Sequence, residues 1–267
     1  MEIITDTLSE SHEAACAVII EQHREIDIQT HKDKEEFTLE FRTKPGEDDS
    51  ITLRILHPQQ QPQISAGSQY GDKLTDAYKK QFLTLSPPRP DGMHATYTYW
   101  NRLADYPCVG IASGAFSEPH AIPMGDGRGD GHNQILELIE KIAADRNSRR
   151  GVMVTWNPML DGKSGEPPCM DLVQIIIRDN VVHIRVVFRS QDMLMGLPEN
   201  LVGVTALLEY ITYEIQKKCG IGLVVGCVTL VSLIPHIYKK RDTKDFDLIR
   251  AEIHRKKTLG LWHPIIR

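Results

Sequence analysis

The side chain best suited to attack a substrate in this sequence is the thiol of Cys169, and the group that could activate it is the guanidinium of Arg189. Between them, Leu172 to Ile177 is an apolar, β-branched run and Arg178-Asp179-Asn180 supplies turn chemistry. Val182, Ile184, Val186 and Phe188 then alternate through the returning run Val181 to Phe188. That pattern predicts a hairpin, which brings the chain back to its start and sets Cys169 beside Arg189. A fixed positive charge there favours the thiolate, so the thiol is expected below its ordinary pKa and nucleophilic. A free cysteine in an intracellular chain is more often a small buried hydrophobe. Its place opposite Arg189 is what distinguishes this one.

A second cluster follows at once. Arg189, Ser190, Asp192, Gly196, Pro198 and Asn200 lead into a helix predicted over Glu199 to Lys218, with Leu201, Val204, Leu207, Leu208 and Ile211 inward and Gly220 just past its end. Upstream, Arg146, Arg149 and Arg150 close a helix predicted over Asn133 to Ser148, where cations are favourable in their own right. Each of these polar residues alone would pass for a surface or capping group. Only their joint order argues for a site.

That order resembles the thymidylate synthase family. The likeness rests on Pro167-Pro168-Cys169, the hairpin, the run Arg189-Ser190-x-Asp192 with Gly196, Pro198 and Asn200, Ser148-Arg149-Arg150 ahead of the strand Val152 to Trp156, and His236-Ile237-Tyr238. It covers roughly Tyr97 to Tyr238, and the joint pattern is far more specific than any one piece. The first part of the chain matches only loosely, in the manner of shortened, archaeal-type members. The resemblance implies an α+β subunit, with a mixed, largely antiparallel twisted sheet covered by helices. It also implies one domain over residues 1–267 and a homodimer in which the sheet packs against its twin.

The implied chemistry starts from the uracil ring, whose C5 is too poor a nucleophile to take up a one-carbon unit unaided. Addition of the Cys169 thiolate to C6 makes C5 enolate-like and turns one hard step into two easier ones. The carbon would come from 5,10-methylenetetrahydrofolate or a methanopterin equivalent. By resemblance, Arg189 and Ser190 hold the phosphate of a pyrimidine nucleotide monophosphate together with Arg149 and Arg150 of the partner subunit. Arginine suits that task because its fork matches phosphate oxygens and stays charged. His236 and Tyr238 hold the ribose, Asp192 contacts the pterin beside Gly196, Tyr99 handles a proton, and Asn200 pairs with the uracil edge through a donor and an acceptor. In the family an asparagine there goes with uracil and an aspartate with dCMP, so dUMP is the expected substrate and dTMP the product.

Departures keep two other readings open. Met170 stands where many members have histidine, Phe188 where they have glutamine, Glu199 where they have an aromatic residue, and Trp100 where a glycine follows the tyrosine. No position in the first ninety residues matches the family's catalytic glutamate or its N-terminal phosphate arginine. A pyrimidine nucleotide (dCMP or CMP) hydroxymethylase and a nucleotide-binding relative that has lost catalysis are the alternatives.

The rest of the chain is consistent with a globular protein. It has 267 residues, 41% apolar and 25% charged, with a net charge of −5 that gives no sign of a nucleic-acid surface. Five cysteines without a CxxC pair suggest neither disulfides nor zinc, and a reducing cytoplasm fits them. Met1 to Ala15 does not read as a signal peptide, and Gly220 to Pro235 reads as a buried strand too short to span a membrane. Eleven histidines show no HExxH spacing, so metal is disfavoured. In the run Gly125 to Gly131, GDGRGDG, Arg128 falls where a calcium loop needs its second oxygen ligand; a mobile surface loop is expected instead. Gly162-Lys163-Ser164 lacks the upstream glycine of a phosphate loop and reads as a turn.

Of the scaffold, Thr7-x-x-Glu10 is a capping box for a helix carrying Ala14, Ala15, Val18 and Ile19. Phe37, Leu39 and Phe41, a turn over Pro45 to Ser50, then Ile51, Leu53 and Ile55 predict a second hairpin. His57 to Gln63 is a loop. Leu74, Ala77, Tyr78 and Phe82 mark a helix stopped by Pro87 and Pro88, and Phe246, Ile249 and Ile253 mark another over Thr243 to Lys257.

Overall fold

In the computed structural model, which describes residues 1–29, 35–42, 48–68, 72–85, 97–112 and 120–267, the chain begins with β1 (Glu2–Thr5), α1 (Leu8–Glu21), β2 (His23–Gln29), β3 (Glu35–Phe41) and β4 (Ile51–Ile55). It continues through α2 (Asp72–Phe82), α3 (Tyr99–Ala104), β5 (Cys108–Ala112), β6 (His120–Met124), α4 (Gln134–Ala144), β7 (Val152–Val154) and α5 (Pro158–Asp161). The second half comprises β8 (Met170–Arg178), β9 (Val181–Phe188), β10 (Gln191–Asp192), α6 (Gly196–Cys219), β11 (Val224–Ser232), β12 (Pro235–Tyr238), α7 (Thr243–Thr258) and β13 (Ile265–Ile266).

The hairpin predicted from Cys169 onward is β8–β9, closed by Asp179 and Asn180 at φ 50° and 62°. Two consecutive positive φ values match the right-handed twist of the flanking strands, and asparagine and aspartate tolerate them best among non-glycine residues. This hairpin sits in a seven-stranded sheet of order β13-β1-β4-β11-β9-β8-β7. β1/β4 and β11/β9 pair in parallel and the remaining neighbours antiparallel, so the sheet is mixed and largely antiparallel, with helices, in an α+β fold. A four-stranded sheet, β10-β12-β3-β2, and the β5–β6 pair complete it.

The two faces of the large sheet differ. One carries Leu53, Leu230, Val186 and Val173 in register across four strands, each with 0% exposure, beneath α1 and α6. At about 1.5–3 kcal/mol per fully buried aliphatic side chain, this face holds the core. The other face carries the row Arg54, Thr229, Arg185, Gln174, Val152 and the row Thr52, Val231, Val187, Leu172, Val154, none of them buried. Residues of one strand alternate between these faces because successive side chains point to opposite sides.

Several local predictions meet their elements. The capping box closes α1 in both directions, with Glu10 N–H to Thr7 Oγ1 and Thr7 N–H to Glu10 Oε2, each at 3.2 Å. Gly220, at φ 67°, ends α6 in the left-handed conformation that glycine adopts without strain. The second hairpin is a correction: β3 and β4 lie in different sheets, β3 between β12 and β2, β4 between β1 and β11. Alternation reports that one face is buried and is silent about which strand lies alongside. Part of the turn expected over Pro45 to Ser50, and both Pro87 and Pro88, fall outside the described residues. The strands β1, β2 and β13 and the short α3 had no sequence expectation. Among the described residues, no helix is long and apolar enough to cross a membrane.

Candidate active site

Cys169 stands immediately before β8, where the ladder to β9 slips: Met170 pairs with Phe188 but Leu172 with Val187. Asp171 is therefore the extra residue of a β-bulge, a device that re-aims a side chain. Across the hairpin, Arg189 binds the whole Pro167-Pro168-Cys169 segment. Its main-chain N–H donates to the Cys169 carbonyl at 2.9 Å, Nε to the Pro168 carbonyl at 2.9 Å and Nη2 to the Pro167 carbonyl at 2.9 Å. Nη2 also lies 3.6 Å from Cys169 Sγ, and the guanidinium carbon is 5.9 Å from the centre of the Trp156 ring.

The expected juxtaposition of thiol and guanidinium is present, but the expected lowering of the thiol's pKa is not. Burial pushes the Cys169 thiol up, the Arg189 charge opposes it, and Asp171 and Asp192 raise it further. A desolvated thiolate loses more hydration than one partly shared guanidinium returns. The Asp171 carboxyl is itself raised by burial, again against Arg189, and its Oδ1 is buried with no hydrogen-bond partner.

Two phenols border the same segment. Tyr99 opens α3 behind the N-cap Thr98, whose Oγ1 accepts from Asn101 N–H at 3.1 Å. Its ring meets Phe188 edge-on at 6.1 Å and its hydroxyl hydrogen-bonds the main chain of Met170. Tyr97, which carried no sequence expectation of its own, hydrogen-bonds the main chain of Cys169 and the Tyr99 hydroxyl. Burial raises both phenols, which keeps them as proton donors. Met170 and Phe188, the departures flanking the cysteine and the arginine, are fully buried core residues.

The loop after β9 gains its other wall from residues far along the chain. β10 pairs in parallel with β12, Gln191 opposite Pro235 and Asp192 opposite His236. Ser190 Oγ then lies 3.4 Å from His236 Nδ1, which is 3.1 Å from the Ile234 carbonyl. A carbonyl only accepts, so Nδ1 carries a proton, and in the neutral form of the ring Nε2 is the acceptor. The His236 and Tyr238 rings meet at 4.8 Å and 82°.

Asp192 is engaged on both oxygens. Oδ1 accepts from the N–H groups of Leu194 and Met195 at 3.0 and 3.1 Å, and Oδ2 pairs with Arg241 Nη2 at 2.7 Å. A pterin contact at Asp192 would therefore share Oδ2 with Arg241. Asn200, on α6, donates from Nδ2 to Gln191 Oε1 at 3.0 Å. A Cβ on Gly196 would stand 3.2 Å from Gln191 Nε2 and 3.4 Å from Asp192 Cβ, so glycine leaves room for this packing.

Arg149 and Arg150 are not part of this cluster. Both are exposed, and Gly151, next to them, accepts from Ile175 N–H at 2.8 Å. That pairing sets them on the order of 20 Å along β8 from Cys169. They border the uncovered sheet face, where Gln174 Nε2 donates to the Arg149 carbonyl at 3.3 Å.

The GDGRGDG run, expected as a mobile surface loop, is wound round a side chain. Asp105, 1% exposed, accepts from the N–H groups of Gly127, Gly129 and Gly131 at 2.7, 2.8 and 2.5 Å, and Asp130 Oδ1 accepts from Gly125 N–H at 2.6 Å. A carboxylate fills the nest of N–H groups that would otherwise attract an anion. Among the described residues, no group of three or more His, Cys, Asp or Glu is placed to hold a metal.

A family model described as thymidylate synthase matches residues 63–260. A protein of Methanocaldococcus jannaschii provisionally named thymidylate synthase is 31% identical over 224 residues, 82% of this chain and 86% of that protein. Proteins with the same provisional name from Methanococcoides burtonii and Methanosarcina barkeri are 32% identical over 176 residues and 34% identical over 157. The first alignment spans 66% of each chain, the second 57% of this chain and 67% of the relative.

Proposed function

The chain belongs to the thymidylate synthase family, and on that premise we propose that it transfers a one-carbon unit from a methylene-pterin to C5 of dUMP, giving dTMP. The observation that carries this reading is Arg189 Nη2 at 3.6 Å from Cys169 Sγ, in the segment that also sets Ser190 against His236. The Cys169 thiolate adds to C6, and the displaced electron pair moves onto C5 and O4. C5 bonds to the incoming carbon; loss of the C5 proton then expels the pterin nitrogen from that carbon, leaving an exocyclic methylene, and hydride adds to the methylene as the C5–C6 double bond re-forms and the thiolate leaves C6. The co-substrate supplies both the carbon and the hydride.

The residues divide the remaining work. Arg189 stabilises the thiolate and, with Ser190, meets the phosphate. His236, with Nε2 free to accept from a hydroxyl, and Tyr238 hold the ribose. Asn200 reads the base, Asp192 and Gly196 flank the pterin, and Tyr99 handles a proton with Tyr97 beside it. Asp171 is the half-buried carboxyl beside the thiol where the sequence offered no glutamate. Arg149 and Arg150, too distant to serve their own site, reach the phosphate in a homodimer built on the uncovered sheet face. A cytoplasmic setting accords with the five free cysteines.

Product analysis tests the reaction: purified protein with 5,10-methylenetetrahydrofolate and dUMP, dCMP or CMP should yield dTMP from dUMP fastest. Hydroxymethylated dCMP or CMP as the main product would replace the synthase with a hydroxymethylase. Nucleotide binding without any product would leave a lapsed relative.

A further inference from the structure

We propose that Gln191, the variable residue inside Arg189-Ser190-x-Asp192, is a positioning residue that fixes which way round Asn200 presents its carboxamide and so selects uracil over cytosine. The inference rests on the assignment of Asn200 to the base and deepens it. The orientation is anchored by a main-chain carbonyl, whose role cannot be exchanged. Gln191 is 2% exposed, and its amide nitrogen lies 2.9 Å from the Asp192 carbonyl, which can only accept. Oε1 of Gln191 must therefore face the other way, where it meets Asn200 at 3.0 Å. An acceptor at that distance requires an N–H from Asn200. Turning the Asn200 amide over would set oxygen against oxygen beside a buried group, a cost that biases the two orientations by roughly ten- to a hundred-fold.

Both partners are held. The Gln191 main chain donates to Ile234 O at 3.1 Å within the β10–β12 pairing, while Asn200 rides on the long helix α6. Gly196 leaves the Gln191 amide its space, since a Cβ there would come within 3.2 Å of Nε2. With one N–H given to Gln191, Asn200 retains one N–H and its carbonyl oxygen, which is one donor and one acceptor. Uracil offers N3–H and O4, cytosine the reverse order at N3 and N4, so the same two groups serve either base and only their arrangement discriminates. A pairing site rejects the mispaired base strongly because buried donors and acceptors are left without partners.

The test compares dUMP and dCMP on wild-type protein, Gln191→Met, which keeps the length without polar atoms, and Gln191→Asn, one methylene too short to bridge both partners. Equilibrium binding is measured alongside kcat/KM, so that loss of turnover does not remove the readout, and thermal melts confirm folding. Both variants should shrink the dUMP:dCMP preference by about ten-fold or more, while binding of inorganic phosphate, which reports the Arg189 side of the site, changes less than about three-fold. A merely structural role would weaken both nucleotides equally and leave the ratio intact. If wild-type protein prefers dUMP and either folded variant keeps that preference, this inference fails alone. If wild-type protein binds neither nucleotide, or prefers dCMP, the assignment of Asn200 to uracil fails and takes the inference with it.

Discussion

Two stretches of this chain carry dense polar residues and glycine, and they use them in opposite ways. In Gly125 to Gly131 most polar groups close on one another: Asp105 takes three glycine N–H groups, Asp130 takes the N–H of Gly125, and Asp126 Oδ1, buried without a hydrogen bond, is ion-paired with Arg102 Nε at 3.5 Å. A Cβ on Gly125 or Gly131 would collide with the Tyr106 carbonyl at 2.6 Å, so the glycines serve close packing. Around Cys169 and Asn200 the groups stay partly unanswered. Asp171 Oδ1 is buried without a partner, the Ser190–His236 contact is long at 3.4 Å, and the thiol is held above its ordinary pKa. A loop wound on one carboxylate and an ion pair marks a scaffold, whereas a thiol, a carboxyl and a histidine gathered with hydrogen-bonding capacity to spare mark a candidate site.

The largest expected effect comes from the unanswered side. Cys169→Ser should lower turnover of dUMP by on the order of a thousand-fold or more and form no covalent adduct with 5-fluoro-dUMP and the pterin, while still binding nucleotide. Mixing its subunits with inactive Arg150→Ala subunits should restore activity at about a quarter of the wild-type sites, because half the dimers are then mixed and each has one whole site. Verified mixed dimers without activity, or an active monomer, would contradict shared sites.

On the closed side, Asp105→Ala should cost about 3 kcal/mol or more in urea unfolding, since a charged acceptor is removed from three donors. Loss of less than about 1 kcal/mol would mean that water replaces the carboxylate and the contrast between the regions is shallow. The smallest effect tests electrostatics at the thiol. Asp171→Asn removes a negative charge, so the thiolate becomes easier to form and the midpoint of Cys169 alkylation against pH should fall by about one unit. Wild-type alkylation should have its midpoint above that of an ordinary thiol. An unmoved or higher midpoint in the variant would show that Asp171 does not act on the thiol.

The legible parts were local. The Thr7–Glu10 box, the Asp179–Asn180 turn and the Gly220 stop are each written within a few residues, and the described elements match them. What escaped depended on partners remote in sequence. Ile51, Leu53 and Ile55 announced a buried face but not β1 and β11 as neighbours. Asp171 looks like any strand residue until the ladder slips beside it, and Gln191 looks like a spacer until Asn200 arrives one helical turn into α6.

The sequence by itself determined the family pattern, the hairpin that brings Cys169 to Arg189, and the helix that carries Asn200, because periodicity, caps and turn residues act over short spans of chain. Tertiary structure alone decided the state of the thiol, the orientation of the Asn200 amide, the closure of the glycine loop on Asp105 and the distance that sets Arg149 and Arg150 apart from Cys169. Each of these depends on burial or on a hydrogen bond between groups far apart in the chain, and neither quantity is a property of any one segment.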